Sequence, residues 1–191
     1  VGMMDMAASK RGLIMKYECD SSLPCRYNGD EGRIKQILIN ILNNAIKFTK
    51  EGYVRAYVSG RPGEKEDVEL ITFRVEDTGC GIREEDLAKI FEDFRQVDSK
   101  RNRSVEGTGL GLAIVRHLVE LMGGLIDVNS VYGKGTVVTI TIPQKIVDRR
   151  STAEVPEIPQ AELARAEAFT APDVKVLVVD DNLINRKVAR G

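Results

Sequence analysis

The sequence predicts an α/β fold for residues 1–145 of its 191 residues. Apolar residues recur at helical spacing in three segments of this region, and the segments between them alternate apolar and polar residues as strands do. The strand-like segments occur in adjacent pairs separated by turn residues, which favours antiparallel hairpins. One domain containing helices and a largely antiparallel sheet is therefore expected.

The first predicted helix begins after Asp30, which can cap its N-terminus, and ends before Glu51 and Gly52. Its apolar positions share one face, because they recur every three or four residues. We expect this face to pack against the core, with Ile34, Ile37, Leu38, Ile41, Ala45 and Phe48.

Two hairpins and two further helices follow. Residues 53–59 and 70–76 alternate, and the polar turn between them contains proline and glycine, which predicts the first hairpin. A charged segment without periodicity is expected to form a loop between the two helices. The remaining elements are a helix at 84–94, a helix at 110–122, and a second hairpin with strands at 125–129 and 136–142.

The C-terminal part has a different composition. Residues 146–172 are rich in proline, alanine and glutamate, which predicts a linker. Residues 174–179 form a short apolar run of the kind buried on both faces of a parallel sheet. Since so few residues cannot bury a core alone, residues 173–191 are interpreted as the start of a second domain.

Bulk properties exclude several classes of protein. The net charge of −1 gives no general attraction to nucleic acid or to an anionic membrane. The three cysteines are odd in number and form no CxxC pair, which argues against disulfides and zinc and fits a cytoplasmic location. No apolar run approaches the ~18 residues of a membrane helix. The first residues indicate a fragment of a longer protein, whose other parts could include a membrane anchor.

Three polar residues share one face of the first predicted helix. Asn40, Asn44 and Lys47 lie four and three residues apart, opposite the apolar face. Asparagine amide oxygens can bind Mg²⁺ or orient water, and a lysine can bind phosphate. On these residues alone, a solvated helix face is the simpler interpretation.

A carboxylate and two glycines follow the second predicted strand, in Asp77-Thr78-Gly79-Cys80-Gly81-Ile82. A carboxylate at a strand end can accept a hydrogen bond from an exocyclic amine such as that of adenine. Glycine allows the backbone to turn tightly and approach a flat base. The alternative is an ordinary strand–turn–helix junction.

A second glycine-rich segment, residues 107–112 with the sequence GTGLGL, begins the third helix. Backbone amides at a helix N-terminus attract anions, and the helix dipole adds positive potential. The segment neither follows a strand nor contains GK[ST], so it fits neither a Rossmann site nor a Walker loop.

The order of these elements resembles the GHKL ATPase superfamily, and within it the catalytic and ATP-binding domain of sensor histidine kinases. The N box would be residues 40–49, the first G box 77–82, the F box 91–94 and the second G box 107–112. The resemblance covers nearly all of residues 10–143. It implies a two-layer α/β sandwich of the GHKL, or Bergerat, type with a mixed, largely antiparallel sheet.

The resemblance also implies a site for ATP and Mg²⁺. Asp77 would bind the adenine amino group, and Thr136 would support the adenine pocket through water. Asn44 would hold the metal, with Asn40 near the phosphates or the metal and Lys47 on phosphate; Asn40 and Lys47 are the predicted catalytic residues. The other implied nucleotide contacts are Gly79, Gly81, Ile82, Gln96, Gly107, Thr108, Gly109, Leu110, Gly111 and Leu112.

Several nearby residues have less direct roles in this interpretation. Either Arg95 or Gln96 would face the phosphates, and the sequence leaves the choice open. His117 lacks the acidic residue that follows the family's phosphoacceptor histidine, so we expect an ordinary helix residue. Cys80 has no neighbour that marks it as a nucleophile. Phe91 and Phe94 are expected to pack in the core and at a hinge rather than to bind the ligand. The charged side chains of Lys100, Arg101 and Arg103 are expected to be solvated.

The last residues resemble the start of a response-regulator receiver domain, because Asp180 and Asp181 directly follow the apolar run and Asn182 and Asn185 come next. In that family the acidic pair helps bind Mg²⁺ beside a phosphorylated aspartate on a later strand. No later strand follows within this sequence. The pair therefore predicts a receiver domain in the parent protein rather than a working site in this chain.

The resemblance implies transfer of the γ-phosphoryl group of Mg-ATP to a histidine, as in two-component signal transduction. The acceptor would lie on a separate dimerisation hairpin of the same parent protein, and a receiver domain would follow downstream. These residues are expected to bind neither nucleic acid nor a membrane.

Two alternatives remain open. An ATPase of the topoisomerase or chaperone branch would hydrolyse ATP, but that branch has a glutamate where Asn40 stands, and asparagine cannot act as a general base. Alternatively, the domain could bind nucleotide and only dock on a partner.

Overall fold

The computed structural model describes residues 2–87, 90–91 and 111–154. Its α-helices are α1 (Gly2–Ser9), α2 (Glu31–Phe48), α3 (Glu84–Leu87) and α4 (Gly111–Leu121). Its strands are β1 (Ile14–Cys19), β2 (Pro24–Asn28), β3 (Tyr53–Pro62), β4 (Val68–Asp77), β5 (Leu125–Val131) and β6 (Gly135–Ser151), and a 3-10 turn follows at Thr152–Glu154.

The strands form one six-stranded sheet in the order β1-β3-β4-β6-β2, with β5 also pairing with β6. Only β1 and β3 pair in parallel within the described sheet. Strand β6 has 17 residues and borders β4 along one edge. Its other edge pairs first with β5 and then, from Lys145 to Ser151, with β2. The prediction of a mixed, largely antiparallel sheet is confirmed.

Helices α1, α2 and α4 cover one face of the sheet, and this arrangement confirms the predicted two layers. Alternate residues of the central strands point toward the helices, since side chains of a strand alternate between its faces. The buried residues form one cluster that contains Met4, Ala8, Leu13, Ile37, Ile41, Ala45, Ile46, Val54, Val75, Val115, Val119, Val138, Ile140 and Ile142.

The opposite face of the sheet carries polar contacts. The Tyr53 hydroxyl donates to Glu76 over 2.7 Å, and the Thr72 and Thr141 hydroxyls lie 3.2 Å apart across β4 and β6. This separation of apolar and polar faces explains why the strand segments alternate in the sequence.

Helix α2 confirms the predicted helix, and the Asp30 carboxylate accepts a 3.0 Å hydrogen bond from the Arg33 backbone N–H. Phe48 was expected in the core, and that prediction is wrong because its side chain is 39% exposed. The helix ends at Phe48, and the next residue, Thr49, turns inward instead. Thr49 is fully buried and its hydroxyl donates to the Ala45 carbonyl over 2.7 Å.

We expect Asp30→Ala to destabilise the domain by about 1 kcal/mol, because the Arg33 N–H then loses its acceptor. Urea unfolding followed by circular dichroism measures the change. Asp30→Asn is the control, since its amide oxygen can accept the same hydrogen bond and stability should stay near that of the wild type. Equal stability of wild type and Asp30→Ala would contradict the capping role.

Several boundaries differ from the sequence-based prediction. Elements α1, β1 and β2 were not predicted, and the strands of both hairpins are longer than expected. Residues 146–151 were assigned to the linker, but they are strand, because β2 provides a pairing partner for them. Residues 90–91 form a turn rather than part of a helix. The remaining linker and the receiver-like segment lie outside the described residues.

Candidate nucleotide site

The site begins where apolar rows across the sheet give way to a polar row. On the helix-covered face of β4, β6 and β5, successive rows of cross-strand neighbours run Phe73–Ile140–Ile126 and Val75–Val138–Val128. The next row is Asp77–Thr136–Ser130. We call these three residues the polar row. Polar side chains at core-facing positions are exceptional and indicate a functional cavity or a closed hydrogen-bond network.

Asp77 is a half-buried carboxylate at the end of β4. One of its oxygens accepts a 2.8 Å hydrogen bond from the Gly79 backbone N–H. Burial raises the pKa of the Asp77 carboxyl, while the backbone N–H groups of Gly79 and Thr136 oppose the rise and the nearby Glu76 adds to it. A carboxylate that is kept partly from water is a strong acceptor for a ligand N–H.

Ser130 completes the polar row and was not among the predicted site residues. Its hydroxyl oxygen lies 2.8 Å from the Ile82 backbone nitrogen, 2.9 Å from the Gly135 carbonyl oxygen and 3.0 Å from the Thr136 hydroxyl oxygen. Its sequence signal is a serine that continues the core-facing positions Ile126 and Val128 of β5. The signal is weak without the cross-strand register.

The loop of residues 78–82 follows Asp77 and is held on both sides by backbone atoms. A side-chain carbon at Gly79 would lie 2.6 Å from the Phe48 carbonyl oxygen, and one at Gly81 would lie 2.2 Å from the Val131 carbonyl oxygen. The Cys80 N–H donates to the Phe48 carbonyl over 3.2 Å. The glycines therefore let the loop pack between the end of α2 and the β5–β6 turn.

Helix α2 brings its polar face to the start of α4. A side-chain carbon at Gly111 would lie 3.6 Å from the Asn44 amide nitrogen and 4.0 Å from the Asn40 amide oxygen. Both asparagines are half-buried, so they are not an ordinary solvated face. Lys47 is also half-buried, and its ammonium lies 5.2 Å from the centre of the Phe48 ring.

The two ends of the site lie along the same helix. Asn40 and Asn44 face Gly111, while Phe48 at the end of the helix contacts the loop that follows Asp77. Over the eight residues from Asn40 to Phe48 an α-helix rises about 12 Å. The candidate site thus has two separated ends. We call the one at Asp77 the acidic end and the one at Asn40 and Asn44 the amide-rich end.

A profile of the family described as histidine kinase-, DNA gyrase B- and HSP90-like ATPases matches residues 29–146. The chain belongs to this family.

Within this ATPase family, similar proteins are sensor kinases. The autoinducer 2 sensor kinase/phosphatase LuxQ of Vibrio cholerae is 38% identical over 184 residues, which are 95% of this chain and 20% of that protein. Hybrid signal transduction histidine kinase K of Dictyostelium discoideum is 38% identical over 189 residues, or 95% of this chain and 15% of that protein. The chain therefore spans a fifth or less of these two relatives.

A solved structure supports the same relationship. The full-length ShkA structure in complex with AMPPNP aligns with a TM-score of 0.65 and 35% identity, covering 77% of this chain and 29% of ShkA. The alignment supports the ATPase-family fold of this chain.

The structure describes only some of the predicted site residues. The predicted site residues that the structure describes are Asn40, Asn44, Lys47, Asp77, Gly79, Gly81, Ile82, Gly111, Leu112 and Thr136. Those that lie outside the described residues are Gln96, Gly107, Thr108, Gly109 and Leu110, together with the neighbouring Arg95, Phe94, Lys100, Arg101 and Arg103.

Two further predictions concern residues beside the site. His117 lies exposed on α4, as expected of an ordinary helix residue. Phe91 is half-buried, and the Arg116 guanidinium lies 5.8 Å from the centre of its ring. Across the described ranges, no helix combines the length and the apolar character needed to span a membrane.

Proposed function

We propose that the chain binds Mg-ATP and donates the γ-phosphoryl group to a histidine on another domain, as the catalytic domain of a two-component sensor histidine kinase. The observation that carries the proposal is the placement of Asp77 at one end of α2 and of Asn40 and Asn44 against Gly111 nearer the other. The named sensor kinases among the relatives support the reaction class. AMPPNP, an ATP analogue, in the ShkA structure supports the ligand.

The base of ATP would bind at the acidic end of the site. Asp77 supplies an acceptor for the exocyclic amine of adenine, and Thr136 lies beside it in the polar row. Because Asp77 already accepts an N–H from the loop backbone, its position is fixed before a ligand arrives. A preorganised acceptor binds without the cost of reordering a side chain. Gly79, Gly81 and Ile82 would form the wall of this pocket.

The triphosphate would bind at the amide-rich end. Asn40 and Asn44 carry oxygen atoms suited to a hard cation, and Lys47 carries a charge suited to phosphate. These residues fit Mg²⁺, since the cation takes few protein ligands and completes its shell with water and phosphate oxygens. When bound, the metal would neutralise charge on the phosphates. Gly111 and Leu112, with residues 107–110 before them, would provide backbone amides for the phosphates.

Transfer, rather than hydrolysis, is the reaction that these residues favour. A ring nitrogen of the acceptor histidine would form a bond to the γ-phosphorus, the bond from that phosphorus to the β–γ bridging oxygen would break, and ADP would leave. The histidine is itself the nucleophile, so the chain need only position the donor and stabilise charge. Asn40 cannot deprotonate a water, which disfavours hydrolysis.

The acceptor histidine would be supplied by a dimerisation hairpin of the same parent protein. His117 is followed by Leu118 rather than an acidic residue. We further propose that residues 173–191 begin a receiver domain, joined to the ATPase-family domain by the residues between Ser151 and residue 173.

The proposal predicts that the chain binds ATP, leaves itself unlabelled by γ-labelled ATP, and labels a separately produced acceptor hairpin of the parent protein. Calorimetry with and without Mg²⁺ measures binding, and a filter assay measures transfer. A hairpin with its histidine changed to alanine is the control and should stay unlabelled. Measurable binding without transfer to the intact hairpin would favour a docking role instead.

A steady-state assay of phosphate release separates transfer from hydrolysis. We expect slow turnover of ATP by the chain alone. Rapid turnover that is lost in Asn40→Ala would overturn the kinase proposal.

A further inference from the structure

The Ser130 hydroxyl joins three parts of the proposed base pocket. It contacts the Ile82 N–H of the 78–82 loop, the Gly135 carbonyl of the β5–β6 turn and the Thr136 hydroxyl of β6. All three oxygen or nitrogen atoms lie within 3.0 Å of the Ser130 oxygen. Ser130 itself faces the helix-covered side of the sheet and is half-buried.

The number of protons available fixes the direction of each hydrogen bond. A serine hydroxyl has one proton to donate and two lone pairs that accept. The Gly135 carbonyl can only accept, so it takes the Ser130 proton. The Ile82 N–H can only donate, so it occupies one Ser130 lone pair. In the remaining 3.0 Å contact, the Thr136 hydroxyl must therefore donate its proton to Ser130.

Because the Thr136 hydroxyl donates its proton to Ser130, its oxygen can offer only lone pairs to a ligand. The neighbouring Asp77 carboxylate is also an acceptor and already receives N–H groups from the backbone. The polar row thus presents acceptors alone. Opposite the 6-position of a purine, these acceptors match an amino group and oppose a carbonyl. A buried acceptor facing another acceptor loses its hydrogen bond and repels its neighbour.

We propose that Ser130 is a positioning residue that fixes the direction of the Thr136 hydroxyl proton, and thereby makes the base pocket prefer a 6-amino purine over a 6-oxo purine. This inference rests on the proposed ATP site. Ser130 acts through Thr136 and makes no contact with the nucleotide. Without Ser130, the Thr136 hydroxyl can rotate and donate to a 6-oxo group.

Competition binding of ATP and ITP to the 191-residue chain tests this inference, since the two nucleotides differ at the purine 6-position and the adjoining ring nitrogen. We expect Ser130→Ala to lower the ratio of the Kd for ITP to the Kd for ATP by about five- to tenfold. Ser130→Thr keeps the hydroxyl and should retain the wild-type ratio. Ser59→Ala, on the other face of the sheet, is the control and should also leave the ratio unchanged.

A structural role alone would weaken both nucleotides by the same factor, and an unchanged ratio in Ser130→Ala would overturn the inference. Should that variant not fold, Ser130→Cys keeps the shape of the side chain with a slightly larger atom, donates only weakly and should lower the ratio similarly. In a Thr136→Val background, Ser130→Ala should have no further effect on the ratio; an additional effect would show that Ser130 does not act through Thr136. Absence of ATP binding by the wild type would instead refute the proposed function, and this inference with it.

Discussion

Asp77→Asn should weaken ATP binding by about 1.5–3 kcal/mol, on the order of 10- to 150-fold in Kd. The substitution preserves side-chain volume but replaces one carboxylate oxygen with an amide group that donates. The half-buried site offers little water to compensate, so the adenine amine loses a charged acceptor. Isothermal calorimetry on the wild type and the variant measures the difference.

The same substitution should not reduce the thermal stability of the unliganded protein. Burial raises the pKa of Asp77 in the folded state. The contribution of Asp77 protonation to the free energy of unfolding is therefore complete below the unfolded-state pKa. It is lost as the pH rises through the folded-state pKa. As the pH rises above about 4, we expect the wild type to lose stability relative to Asp77→Asn. Thermal melts of both proteins across this range measure the difference.

Asp127→Asn provides a control with the same change of charge. Asp127 is exposed on β5 and lies on the face of the sheet opposite the polar row. Its substitution should change ATP affinity by less than about 0.5 kcal/mol. An unchanged affinity in Asp77→Asn would refute the assignment of adenine to the polar row.

Gly135→Ala should destabilise the domain by about 3–5 kcal/mol, combining backbone strain with overpacking. Gly135 has a φ of +126°, and a side-chain carbon there would lie 2.0 Å from the Asp77 carbonyl oxygen. To relieve this steric clash, β4 and β6 must separate beside the polar row. We therefore expect lower ATP affinity as well as a lower urea midpoint.

Gly133→Ala is the matched control for this steric effect. Gly133 lies in the same turn with a φ of +82°, but no atom lies within 4 Å of the position that its side-chain carbon would take. Gly133→Ala should therefore lower the free energy of unfolding only by the backbone strain, about 1–2 kcal/mol. If the two variants unfold at the same urea concentration, the contact between Gly135 and Asp77 is not what restricts this position.

The sequence predicted the elements whose signals are local. Helix α2 has a cap at Asp30 and an apolar face within one segment, and both hairpins alternate around recognisable turns. Strand β2 was missed because its partner is far away in the chain, with Asn28 opposite Lys145. Strand β1 is mostly exposed and lacks a period of two, so its pairing with β3 supplies what its own residues do not indicate.

The candidate site, like the fold, could be predicted from the sequence only in part. Asp77, Asn40 and Asn44 were predicted as site residues because their order along the chain, together with the glycine-rich segments, resembles a known ATPase superfamily. Their residue types and spacing alone fit a solvated helix face and an ordinary strand–turn–helix junction equally well. Ser130 was missed because its contacts depend on which residues of β5 and β6 are opposite each other. Gly79 was predicted to allow close approach of a base, but its contact with the Phe48 carbonyl adds a packing requirement that only the fold reveals.

The long strand β6 has a consequence for synthesis of the protein. Strand β2 emerges early from the ribosome, yet its pairing partner, the part of β6 from Lys145 to Ser151, emerges last among the described strands. At typical translation rates the delay is on the order of ten seconds. During that time β2 lacks the one strand that pairs with it among the described residues, and its open N–H and C=O groups promote association between nascent chains. Protection of this segment by chaperones would matter most before residues 145–151 have emerged from the ribosome.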